Sequence, residues 1–192
     1  KILKRKLTEM GVNVILTRSD DRFLSLAQRA DIANSTECDF FISIHANASK
    51  TKWATGVEVF YLSETADDNP RSYNASQRYN SFARETYSGQ NTEAILWDLK
   101  FTENRRQSIS LAKCICSAVS AHLSQKNRGS KPAKFFVLKT NVPAILIEVG
   151  FLTNTWEEKQ LRDHAYREKI ASGIMQGISR YNTAYTQSYV RN

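Results

Sequence analysis

The stretches Phe40-Phe41-Ile42-Ser43-Ile44-His45-Ala46-Asn47-Ala48 and Pro143-Ala144-Ile145-Leu146-Ile147-Glu148-Val149-Gly150-Phe151-Leu152-Thr153-Asn154 decide the fold. Each is an apolar, largely β-branched or aromatic run too short for a helix, which reads as a strand buried on both faces. Each also carries one ionisable side chain near its end. In an open parallel sheet, ligands are met just beyond the carboxyl ends of the strands, so His45 and Glu148 are candidate site residues. A lone histidine at a strand end is commonly just a hydrogen-bonded side chain. A glutamate after three aliphatic residues is harder to dismiss, because a buried unpaired carboxylate costs several kcal/mol (roughly) and such groups cluster at functional sites.

Working outward from these runs, strands alternate with helices. Lys1–Met10 reads as a helix end closed by Gly11, and Val12–Leu16 as a strand. Ser25-Leu26-Ala27-Gln28 has capping-box form and opens a short helix toward Asn34. Val57–Leu62 alternates like a strand with one wetter face, and Phe135–Leu138 and Ala144–Ile147 are further strands. Ile109, Ala112, Cys116, Val119 and Leu123 share a helical face, so Ser108–Leu123 is expected to pack on the sheet. Thr155-Trp156-Glu157-Glu158 opens a long last helix with Leu161, Ile170, Ile174 and Tyr181 inward. The pattern predicts a single α/β domain with a mostly parallel twisted sheet flanked by helices on both faces.

Composition agrees with one domain. The 192 residues are 41% hydrophobic, enough for a real core. No apolar run reaches membrane-spanning length, and no signal-peptide pattern is read in the chain. Cys38, Cys114 and Cys116 are three in number and read as small core residues, not as a disulfide framework or metal cluster. The net charge of +8 suggests an anionic partner. The Lys and Arg residues are scattered without a nucleic-acid-binding signature, so nucleic acid is not expected as the partner.

Four segments, FISIHANA, GVEVFYLS at Gly56–Ser63, NRGSKPAKFFVL at Asn127–Leu138 and VPAILIEVGFLTN at Val142–Asn154, resemble the successive signatures of the zinc-dependent N-acetylmuramoyl-L-alanine amidases. Leu16-Thr17-Arg18 followed by Asp20 or Asp21, and the Leu26, Arg29, Ala33-Asn34 helix, match the same family, so the resemblance covers nearly the whole chain. It implies hydrolysis of the bond between N-acetylmuramic acid and L-alanine in peptidoglycan, a polyanion that also accounts for the basic surface. It implies Zn2+ as cofactor, His45 as a metal ligand and Glu148 as general base and acid. Asn47 and Asn154 would stabilise loops or bind substrate, and Arg18 and Arg29 would be structural ion-pair partners. The implied location is the periplasm or the exterior of a bacterial cell.

The chain departs from the family in two places. The other two zinc ligands, a histidine after the first strand and a glutamate near the start of the first helix, have no counterpart, and His122 and His164 fall on predicted helices at other positions. Either an N-terminal piece is missing from the sequence or the protein is a metal-free relative. The first is expected, since a gap in a parallel sheet leaves buried backbone groups unpaired. The domain is therefore read as residues 1–181, with an insertion over 63–107 and a flexible tail over 182–192. The insertion resembles that of the division-associated members, which holds a helix over the zinc until an activator protein displaces it. This predicts autoinhibition, with Ile95, Leu96 and Trp97 near the site and Glu85 or Glu93 close to the metal. The alternative is an inactive amidase-like module that binds cell wall or a division partner.

Overall fold

Ser25 shows how closely local chemistry controls this backbone. Its hydroxyl accepts from the Gln28 N–H while the Gln28 side chain accepts from the Ser25 N–H, the reciprocal cap that the sequence predicts. The computed structural model describes residues 1–63 and 92–190. Its helices are α1 (Ile2–Glu9), α2 (Leu26–Asn34), α3 (Thr92–Leu123), α4 (Thr155–Arg162) and α5 (His164–Val190). Its strands are β1 (Phe41–Asn47), β2 (Val57–Leu62), β3 (Asn127–Ala133) and β4 (Ala144–Phe151). They form one sheet in the order β1-β4-β2-β3. The pairs β1/β4 and β2/β3 are parallel, and β2/β4 is antiparallel. The result is a single α/β domain with a mostly parallel sheet packed against helices.

Alternation along the strands sorts side chains onto two faces. Val57 and Val59 of β2 and Ile145, Ile147 and Val149 of β4 face the main core, where they meet Leu111, Ile115 and Val119 of α3 and Ile170, Ile174 and Ile178 of α5. The opposite face carries a smaller cluster of Ala144 and Leu146 with Val137 and Leu138, edged by Phe41, Phe60 and Leu62. Among the described residues, β4 is the most enclosed strand, with all eight residues buried.

Helices α3 and α5 touch nearly backbone to backbone. A Cβ placed on Gly177 would lie 2.6 Å from the Ile115 Cα, and one on Gly173 would lie 2.8 Å from the Val119 Cα. Gly56 is required for a different reason: it has φ +106° and sits where a Cβ would be 2.4 Å from the Lys126 carbonyl oxygen.

Several expectations need correction. Val12–Leu16 joins no ladder; Val12 and Val14 pack against the main core from an irregular segment. Phe135–Leu138 is not a strand, because Phe136–Leu138 forms a 3-10 turn that buries Val137 and Leu138 under the smaller cluster. The strand is instead the polar Asn127–Ala133, which among the described residues is an edge strand bonded only to β2. The last helix is broken at Asp163, whose carboxylate accepts from the Tyr166 N–H at 2.8 Å and so starts α5. Residues 182–190 continue α5, with Tyr185 stacked on Tyr181 at 5.6 Å. Helix α3 starts at Thr92, sixteen residues before the expected start at Ser108.

Candidate active site

On the face of the smaller cluster, the strand register lines up three rows. Phe41 faces Ala144, then Ser43, Leu146 and Phe60 lie abreast, and then His45, Glu148 and Glu58. Neighbouring strands are about 4.8 Å apart, so His45 and the two carboxylates form a continuous polar row where the apolar rows end. The row stands at the carboxyl ends of the parallel pair β1/β4. The sequence expectation that His45 and Glu148 meet at adjacent strand ends describes this arrangement.

The two glutamates have opposite surroundings. Glu58 is buried, but its Oε1 accepts from Asn47 Nδ2 at 2.7 Å and its Oε2 from Arg128 Nε at 2.9 Å and Lys131 Nζ at 2.6 Å. Burial alone would raise its pKa; the hydrogen bonds and charges of Lys131 and Arg128 outweigh that and lower it. Glu148 is buried, and its Oε2 has no hydrogen-bond partner among the described residues. Burial first, and then the negative charge of Glu58, push its carboxyl up to about 7. The imidazole of His45 touches the Ser43 hydroxyl through Nε2 at 2.9 Å, and burial and the positive charge of Arg29 lower its pKa. An unpaired carboxyl that exchanges protons near neutrality suits general acid–base work.

The family description N-acetylmuramoyl-L-alanine amidase matches residues 1–180 of this chain. The chain belongs to that amidase family. Escherichia coli (strain K12) N-acetylmuramoyl-L-alanine amidase AmiA is 32% identical over 187 residues, which cover 94% of this chain. The chain spans 65% of the length of that curated relative. Among solved structures, an N-acetylmuramoyl-L-alanine amidase from Clostridium difficile 630 superposes with TM-score 0.70 at 30% identity, covering 95% of this chain and 78% of that one. The catalytic domain of CwlV from Bacillus (Paenibacillus) polymyxa var. colistinus gives TM-score 0.69 at 27% identity, covering 95% and 79%.

For an amidase of this family, the described residues supply part of a site. They contain no group of three His, Cys, Asp or Glu side chains that could hold a metal ion. Beside His45 the row offers Glu148 and Glu58, and Glu58 is already taken by two cations and an amide. The described residues therefore do not by themselves fit a three-ligand zinc centre. His122, on α3, contacts the Ala118 carbonyl of its own helix, and His164 opens α5 as an exposed residue.

Other expected roles are structural. Asn154 caps α4 by accepting from the N–H groups of Trp156 and Glu157, and Asn47 holds Glu58. Arg18 and Arg29 donate to backbone carbonyls, of Arg22 at 2.7 Å and Leu24 at 3.2 Å, where ion pairs with acids were expected. Glu85 lies outside the described residues, as do the side chains of Glu93, Ile95 and Trp97. Leu96 is 60% exposed on the first turns of α3. Farther along α3, Phe101, Asn104 and Arg105 line a cleft with Leu62 and Ala144, at the end of the sheet away from His45. Glu58, Arg128 and Lys131 are site components that the sequence reading missed. The signal was present in Val57-Glu58-Val59, a carboxylate inside an apolar strand like that of Glu148.

Proposed function

We propose that this protein hydrolyses the amide bond between N-acetylmuramic acid and L-alanine in bacterial peptidoglycan, in the periplasm or outside the cell. The observation that carries the reading is the register row His45–Glu148–Glu58, in which the Glu148 Oε2 is left without a partner among the described residues. Glu148 takes a proton from the water that attacks the lactyl carbonyl and hands it to the alanine nitrogen as the C–N bond breaks. A carboxylate remains on the glycan and an amine on the peptide. Glu58 holds its own charge through Arg128 and Lys131. His45 is the one described side chain we propose as a zinc donor; further donors would come from outside the described residues.

The test is hydrolysis of purified sacculi by the zinc-supplemented protein, together with its metal content. Glu148→Gln is expected to lower the rate by about 10²–10⁴ while leaving metal content unchanged. His45→Ala is expected to lose both. Loss of metal in Glu148→Gln would make Glu148 a ligand and overturn its role as base. Retention on sacculi without release of peptide amines would instead identify a binding module.

Control by the insertion is carried by the resemblance alone. The described part of it enters α3, whose Phe101, Asn104 and Arg105 line a cleft with Leu62 and Ala144 at the end of the sheet away from His45. Deleting Ser72–Gln90 is expected to raise basal hydrolysis without a partner protein of the division machinery. Unchanged hydrolysis by a folded deletion variant would overturn autoinhibition.

A further inference from the structure

Beyond the carboxyl ends of β1 and β4, two loops are sewn together. Leu152 N–H donates to the Asn47 carbonyl at 2.8 Å, Ser49 N–H to Thr153 Oγ1 at 3.1 Å, and Asn154 Nδ2 to the Lys52 carbonyl at 3.0 Å. The other end of the same Asn154 amide accepts from the Trp156 N–H at 3.1 Å. One side chain thus fixes the carbonyl just before Trp53 and the N–H of Trp156, making the two tryptophan-bearing backbones neighbours. Both loops leave directly from the strands that carry His45 and Glu148.

These tryptophans are not core residues. Trp53 is 87% exposed and Trp156, in the first turn of α4, 51%; Leu152, whose N–H is bonded to the Asn47 carbonyl, is 52% exposed. Single exposed apolar side chains are ordinary, but large ones grouped at the mouth of a site and rimmed by charge mark an interaction surface. Cations lie nearby: Lys50 and Lys52 precede Trp53 in its loop, and Lys159 follows Trp156 by three residues on one face of α4, where Glu158 is paired with Arg162. Indole offers a broad apolar face with little conformational entropy to lose, and the C–H face of a pyranose ring is its natural counterpart.

We infer that Trp53 and Trp156 form a platform on which sugar rings of the glycan strand stack, with Lys50, Lys52 and Lys159 meeting the carboxylates of its stem peptides. This rests on the peptidoglycan reading above and adds to it a subsite for the polymer. The platform holds the strand while the amide to be cut lies over the Glu148 row. The occupant is a glycan and not a protein groove-binder, because the surface combines aromatic side chains with cations on segments that leave from the strands of His45 and Glu148.

The test uses glycan strands stripped of stem peptides, whose lactyl groups are free carboxylates, titrated into the full chain and followed by tryptophan fluorescence and calorimetry. Wild-type protein is expected to bind with a change in indole emission. Trp53→Ala and Trp156→Ala are each expected to weaken binding about tenfold or more, and Trp53→Phe to keep most of it. Unchanged thermal unfolding would show that the variants fold, and the wild-type emission change gives a reading independent of any variant. Undiminished glycan binding by a folded double variant, absent wild-type binding, or an equal loss of binding to duplex DNA would each overturn the platform. Tryptophan-dependent glycan binding without any hydrolysis of sacculi would keep the platform and defeat the amidase reading. Hydrolysis of sacculi with tryptophan-independent glycan binding would do the reverse.

Discussion

Glu58 and Glu148 are neighbours in register, yet they pull stability in opposite directions with pH. Glu58 has its carboxyl lowered in the folded protein, so it contributes stability above its unfolded pKa that is lost as the pH falls through the folded value. Glu148 is raised to about 7 from 4.5, so between those values the folded state holds a proton that the unfolded state has released. Its contribution is fully present below about pH 4.5 and is lost as the pH rises through about 7. In metal-free protein, Glu148→Gln is therefore expected to be more stable than wild type at pH 8, with the difference shrinking toward pH 5. Thermal unfolding across that range checks it; a pH-independent difference would mean that Glu148 is not protonated by its surroundings. His45 and Glu148 were legible because each ends or interrupts an apolar strand. Glu58 carried the same mark, but its partners Arg128 and Lys131 sit on a strand with no hydrophobic pattern.

Helices α3 and α5 show how an element can be legible while its contact is not. Periodicity placed Ile109, Ala112, Cys116, Val119 and Leu123 inward; Ile109 is half-buried and the other four are buried. It did not show that Gly173 and Gly177 permit contact with the α3 backbone, because glycine leaves no apolar signal. On an open helix, Gly→Ala stabilises by about 1 kcal/mol. Here the added methyl would press on the Cα atoms of Ile115 and Val119, so Gly177→Ala is expected to destabilise by about 1–3 kcal/mol. Denaturant titration decides the sign, and a gain in stability would contradict the close crossing. The same limit explains β3: an edge strand needs backbone pairing on one side only, so Asn127–Ala133 could be polar while the apolar Phe136–Leu138 turned under the sheet.

For the molecule as a whole, charge and shape act over different ranges. The chain carries 27 Lys and Arg against 19 Asp and Glu, spread along its length. Attraction between such a surface and a polyanionic wall is long-ranged and screened by salt, with a Debye length of about 10 Å at about 0.1 M. Stacking on Trp53 and Trp156 is a contact interaction that salt screens little. The two contributions separate when retention on intact sacculi is measured from low to high salt. Wild-type protein is expected to lose several-fold in retention and then level off, the remaining part being the aromatic contact. The Trp53→Ala/Trp156→Ala variant is expected to start from the same salt-sensitive attraction but fall toward zero, because screening removes what the lysines contributed and nothing replaces it. Identical salt curves for the two proteins would mean that charge alone holds this protein on the wall.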